Sequence, residues 1–209
     1  MQQVLPGGDI AASSTILDKV YWRLLRLFRL HKTSWDRQFQ AGLWCRGPRC
    51  PHTVRKAAEL CQGGYLIEFG CGEGTLPLAM PEGSFSFYRG YDISGVAINS
   101  ATQKARRAGL QNCAFARGDM AHWQGDTGAS LIVLEECLYY LSTPKAEAFL
   151  RCCLQSLLPG GHILVVIHDA AKHASTIEAC KRACALQEQT TLGGRLFLLL
   201  AIQGHRNTA

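Results

Sequence analysis

The chain has 209 residues, is 47% hydrophobic and 18% charged, and carries a formal net charge of +6. This is enough chain for one substantial core, and the composition shows no break that would divide it in two. The basic residues after position 60 are dispersed without the aromatic interleaving of a nucleic-acid track, and no stretch approaches the roughly 20 apolar residues that cross a bilayer.

In chain order, residues 1–12 contain Pro6, Gly7 and Gly8 without an apolar period and read as a flexible tail. Residues 13–52 read as a helical and lid segment. Its first part places Leu17, Val20, Tyr21, Leu24, Leu25 and Phe28 at helical spacing, with Lys19, Arg23, Arg26 and Arg29 mainly on other faces. Such a basic amphipathic helix suits a peripheral membrane or protein contact through residues 13–32, or packing on the domain itself. Trp35, Phe39 and Trp44 then supply either a lid over a pocket or ordinary core contacts. In Cys45-Arg-Gly-Pro-Arg-Cys50-Pro-His52, two thiols and an imidazole could ligate zinc, but no fourth ligand is evident nearby and no metal is expected.

From 53 to 209 the pattern alternates as one domain: helix 53–61, strand 65–69, a short helix from Gly74, strand 86–92, a helix entered through Ser94 and ended by Gly109, strands 113–118 and 130–135, helix 143–157 and strand 162–168. This argues for a parallel sheet covered by helices on both faces. The end differs, because 186–192, Gly193-Gly194 and 195–203 read as strand, tight turn, strand. The ten cysteines lie mostly in apolar segments with no cleavable signal sequence before them. They read as small buried hydrophobes in a reducing, cytoplasmic compartment.

The chemistry starts in Tyr65-Leu-Ile-Glu-Phe-Gly-Cys-Gly-Glu-Gly-Thr75, an apolar strand holding Glu68 that runs into Gly70, Gly72 and Gly74. Glycines lack the Cβ that would hold a ligand off the main chain, so the turn suits a nucleotide-type cofactor. A dinucleotide site needs glycine or alanine three positions after the second glycine, and Thr75 stands there. Asp92 ends the next strand, 24 positions after Glu68, where an acid accepts both ribose hydroxyls or caps a helix. Asp119 follows the third strand as an acceptor or a turn residue. His122 and Trp123 border the same place or lie on an exposed loop. The fourth strand ends in Glu135 and Glu136, with Tyr139 and Tyr140 just beyond.

Glu68-x-Gly70-x-Gly72-x-Gly74 resembles the first signature of class I S-adenosylmethionine-dependent methyltransferases. The resemblance implies a seven-stranded mixed sheet ordered 3-2-1-4-5-7-6 in an α/β, Rossmann-like fold. It also implies a cofactor set of Glu68, Gly70, Cys71, Gly72, Gly74, Asp92, Ile93, Asp119, Met120 and Glu135. In it the glycine loop runs under the methionine part, Asp92 holds the ribose, Ile93 flanks the adenine, and Asp119 accepts from the adenine amino group. The run Glu136-Cys-Leu-Tyr-Tyr-Leu141, with Leu158-Pro-Gly-Gly-His-Ile-Leu-Val-Val-Ile-His-Asp-Ala170, looks like nodulation-factor N-methyltransferases and related saccharide methyltransferases. The resemblance covers about residues 60–170 and leaves the N-terminal segment outside.

Methyl transfer is an in-line displacement, so alignment dominates and a hydroxyl acceptor needs a base. Glu136 and His168 are the expected bases, with Tyr139 and Tyr140 orienting a small-molecule or saccharide acceptor through nitrogen or oxygen. The alternatives are a nicotinamide-dependent oxidoreductase and a catalytically silent cofactor-binding protein that docks through its N-terminal helix.

Overall fold

The computed structural model describes residues 31–44 and 49–202. The amphipathic segment expected before residue 31 and Cys45 lie outside them. Two helices come first, α1 (His31–Gln40) and α2 (Pro51–Cys61), followed by β1 (Tyr65–Phe69), α3 (Thr75–Ala79), β2 (Phe87–Asp92), α4 (Gly95–Arg107), β3 (Cys113–Arg117) and β4 (Ala129–Glu135). The remainder is α5 (Thr143–Ser156), β5 (Leu157–His168), α6 (Ala174–Ala183), β6 (Ala185–Leu192) and β7 (Arg195–Ala201). One seven-stranded sheet is ordered β3-β2-β1-β4-β5-β7-β6, parallel except for β7, which runs antiparallel to β5 and β6. The expected order and terminal hairpin are both present.

Local chemistry sets the element ends. Pro51 opens α2, where its missing N–H costs no helical bond, and Gln62 closes it in the left-handed region at φ 48°. Ser94 caps α4 by accepting from the Ala97 amide at 3.2 Å, and Gly109 leaves the helix at φ 74°. The fifth strand is longer than residues 162–168. Leu157 already pairs with Ala129, and a register shift between Ala129 and Leu131 absorbs the Pro159-Gly160-Gly161 stretch. At Gly161 a Cβ would meet the carbonyl oxygens of Ala129 and Leu158 at 3.0 Å, so this glycine lets two backbones approach.

Strand side chains alternate between two cores. Ile67, Phe69, Ile132, Leu134, Val165 and Leu198 pack towards α5 and α6, whereas Leu66, Leu131, Val133, Leu164 and Phe197 pack towards α2 and α3. Both faces of the central strands are therefore dry, as their near-continuous apolar runs require. Function is left to the carboxyl ends of the strands, where a parallel sheet opens a crevice. Cys61, Cys137, Cys153, Cys180 and Cys184 are buried, while Cys113 and Cys152 are half-buried.

Candidate active site

The glycine turn after β1 follows from backbone geometry. Gly70, Gly72 and Gly74 have φ of 67°, 53° and 71°, where side chains are disfavoured. A Cβ on Gly70 would lie 2.8 Å from Cβ of Cys137, and one on Gly74 would meet the Phe115 ring at 2.8 Å. At Gly72 it would meet only the Phe39 ring, at 3.7 Å. Gly70 and Gly74 thus seat the turn on the protein, and Gly72 presents its open side to the cleft. Cys71 lies in the turn with its thiol turned inward, 2.9 Å from where a Cβ on Gly90 would stand. Burial pushes that thiol well above its ordinary pKa.

Asp92 joins this turn to the next. Its carboxylate accepts from the Gly72 amide at 2.9 Å and the Ser94 amide at 2.8 Å. The helix cap is Ser94, so Asp92 does not serve that role. Burial raises its pKa, against the pull of the Ser94 and Gly72 amides. A carboxylate offers about four lone-pair sites, and two amides leave room for two hydroxyl donors.

Behind the turn lies a buried ion cluster that sequence reasoning missed. Arg49 donates from Nη2 to Glu68, and its Nε stands 2.7 Å from Glu135 Oε2. Tyr88 donates to the other Glu68 oxygen at 2.5 Å. The Glu68 side chain is fully buried, and those of Arg49 and Glu135 are 13% and 8% exposed. Burial works against the Arg49 charge, but the two acids outweigh it and keep the guanidinium protonated. For Glu68, burial exceeds the pull of Arg49 and lifts the carboxyl above its usual range. Arg49 Nε and Glu135 Oε2 face each other without hydrogen-bond alignment and are otherwise unpartnered. At the ends of β1 and β4 the cluster thus holds one buried cation between two buried anions.

The adenine side is simpler. Asp119 accepts from the Ala121 amide at 3.0 Å, capping a short turn, and contacts His122 Nδ1 at 3.3 Å. Ile93 is half-buried on the turn above β2, and its carbonyl accepts from Arg117 Nε at 2.9 Å. Met120 packs against the core's edge. Trp123 packs edge-on to Phe69 at 4.8 Å, whereas the His122 side chain is 79% exposed.

At the end of β4, Glu136 turns into the left-handed region at φ 58°. Its carboxylate accepts from Arg195 Nε at 3.0 Å and the Tyr139 hydroxyl at 3.2 Å. His168 pairs directly with Arg195 across β5 and β7, so the two share a sheet face; the His168 ring is exposed. Tyr139 stacks on His173, centroids 4.0 Å apart. Burial, with Lys172 nearby, holds His173 below its ordinary pKa. His173 stands at the N-cap position of α6 without a side-chain cap bond. Arg195 and His173 were not singled out from sequence; a cation opening the strand after Gly193-Gly194 is the available signal for Arg195.

Helix α1 lies across this cleft. Asp36 accepts from Ser94 Oγ at 2.6 Å and from the Val96 amide at 3.2 Å, fastening the helix to the start of α4. Trp35 meets Tyr140 edge-on at 5.2 Å, while Phe39 lies over Gly72. Of the Cys45, Cys50 and His52 set, Cys45 lies outside the described residues, while His52 Nδ1 stands 2.8 Å from Arg55 and its ring packs on Phe197. Among the described residues no three His, Cys, Asp or Glu side chains are grouped to hold a metal. Nor is any described helix long and apolar enough to cross a membrane.

Residues 66–161 match the family profile described as "Methyltransferase domain". This stretch is similar to a methyltransferase domain, and the sheet around it has the strand order expected of the class I fold. Solved proteins of this fold include ones bound to S-adenosylmethionine or to its demethylated product, the cofactor that the glycine signature implies. The domain's fold recurs in an O-methyltransferase of neocarzinostatin biosynthesis, NcsB1, solved with S-adenosylmethionine and 2-hydroxy-5-methyl naphthoic acid. The TM-score is 0.63 at 16% identity, covering 88% of this chain and 61% of that one. The chain thus spans about three fifths of that protein's length. The N-methyltransferase NodS of Bradyrhizobium japonicum WM9, solved with S-adenosyl-L-homocysteine, has a TM-score of 0.59 at 20% identity, covering 71% of this chain and 85% of that one. The [4+2]-cyclase SpnF matches with a TM-score of 0.61 at 16% identity, over 72% and 80% of the two chains. No curated protein matches the sequence at a significant level.

Proposed function

We propose that this protein transfers a methyl group from S-adenosylmethionine to nitrogen or oxygen of a small molecule or saccharide. The observation that carries the reading is Asp92, held by the Gly72 and Ser94 amides at the lip of a positive-φ glycine turn, with acceptor capacity left for a ribose diol. Arg49 and Glu135 would take the carboxylate and ammonium of the methionine part, and Asp119, Ile93 and Met120 would border the adenine.

The cofactor supplies a methyl carbon already activated by a positive sulfur. This chain's residues must then align an acceptor and dispose of its proton. Glu136 is the proton acceptor we favour over His168. Arg195 and Tyr139 orient its carboxylate, and lone pairs remain for an acceptor hydroxyl. An antiparallel β7 and Thr75 in the third glycine position both count against a nicotinamide site. The fold shared with a cyclase gives the silent or differently reacting alternative its one support. Titration calorimetry with S-adenosylmethionine and its demethylated product tests cofactor binding, and purified protein that binds neither refutes the proposal. Label transfer from methyl-labelled cofactor to a panel of aminosugars, phenols and lipid-linked glycans then separates turnover from silent binding.

A further inference from the structure

Five rings stand in continuous contact along the acceptor side of the cleft. Trp44 and Trp35 lie 5.3 Å apart, Trp35 and Tyr140 5.2 Å, Tyr140 and Tyr139 4.9 Å, and Tyr139 and His173 4.0 Å, all between ring centroids. They come from the α1 region, the turn after β4 and the cap of α6, so the fold assembles the row from three distant stretches. It differs from the core rings. Phe69, Tyr88 and Phe149 are at most 3% exposed, whereas Tyr140 is 52% exposed and Trp35 and Tyr139 are half-buried. Polar groups meet the row at two places: at its Trp44 end the indole Nε1 donates to Gln38 at 2.8 Å, and in its middle the Tyr139 hydroxyl meets Glu136, which meets Arg195. On the cofactor side, Phe39 stands one helical turn from Trp35 against Gly72.

A polyhydroxylated acceptor calls for donors and acceptors distributed around it, because each hydroxyl removed from water must be re-paired. A flat ring instead gains from stacked and edge-on neighbours and needs polar partners only at its substituents. Building on the methyl-transfer reading, we propose that the acceptor is a planar aromatic small molecule carrying a phenolic hydroxyl, with its ring against Trp35 and Tyr140 and its hydroxyl on Glu136. The reaction balances without another reactant. The phenolic oxygen forms a bond to the methyl carbon, the carbon–sulfur bond breaks with its electron pair going to sulfur, and the hydroxyl proton passes to Glu136. Arg195 is a positioning residue that fixes the carboxylate.

The test is calorimetry on full-length protein. S-adenosylhomocysteine is titrated first, then 2-naphthol and, separately, glucosamine into the loaded protein. One-to-one binding of 2-naphthol without saturable glucosamine binding is expected. Tyr140→Ala should weaken 2-naphthol binding about tenfold, as should Trp35→Leu, with S-adenosylhomocysteine affinity retained by at least one of the two as evidence of folding. Bound S-adenosylhomocysteine with no saturable 2-naphthol binding, glucosamine binding equal to or tighter than 2-naphthol, or unchanged 2-naphthol binding in both variants overturns the aromatic acceptor. Failure of the first titration overturns the methyl-transfer reading itself, and the acceptor with it.

Discussion

Replacing Arg49 with methionine should be among the most damaging single changes in this protein. The guanidinium lies between Glu68 and Glu135, whose side chains are 0% and 8% exposed, and methionine fills similar volume without charge. Breaking a buried pair leaves an uncompensated charge, which costs about 3–5 kcal/mol. For a chain of this length each kcal/mol lowers Tm by about 2–4 °C, so the loss should be about 6–20 °C. The pH dependence adds a second readout. Burial already lifts the Glu68 carboxyl above its ordinary value in the folded state, and removal of Arg49 lifts it further. A carboxyl raised on folding contributes stability below its unfolded pKa, about 4.3, and that contribution is lost as pH rises through the folded value. The variant's deficit relative to the parent should therefore shrink as pH falls from 7 towards 4.5. Thermal and urea unfolding of both proteins across that range measure it. A deficit under about 1 kcal/mol at pH 7, the size seen when an exposed pair is broken, would show that water reaches these charges and would refute the reasoning.

Other outcomes follow from the same geometry. Gly70→Ala and Gly74→Ala should each lower stability by about 1–3 kcal/mol, because both add a clash to an unfavourable φ. Gly72→Ala, which meets only Phe39 at 3.7 Å, should lose less stability than either; equal losses in urea melts would contradict the assigned directions. Asp92→Ala should weaken S-adenosylhomocysteine binding at least tenfold by calorimetry, since it removes the proposed ribose acceptor and frees the Gly72 amide. Glu136→Gln keeps the shape of the side chain and should lower kcat for a hydroxyl acceptor about 100-fold or more while leaving cofactor affinity in place. Unchanged turnover at every pH would remove Glu136 as the base.

The glycine turn and Asp92 were legible in sequence because their information is local: positive φ demands glycine, and an acid at a strand end has few places to go. The strand order was legible through alternation and the terminal hairpin. Arg49 was hidden in a Cys-, Gly- and Pro-bearing stretch with no periodicity. Its role arises only when the chain returns to place β1 and then β4 beside it, 19 and 86 residues later. Glu136 was correctly noticed as a strand-end acid, but its partner Arg195 depends on the β5–β7 register, which no local pattern encodes. Trp35 and Phe39 fitted a lid or a core equally well by composition, and their neighbours Tyr140 and Gly72 are contacts that no local pattern encodes.

Helix α1 borders both halves of the cleft while being fastened at Asp36 to the turn that follows Asp92. On the proposed reading, one segment therefore answers to two ligands. A cofactor settling the Asp92 turn would also fix the position of Trp35, and an acceptor held by Trp35 would steady the turn in return. Such coupling is reciprocal by thermodynamic necessity: whatever factor the first ligand confers on the second, the second confers on the first.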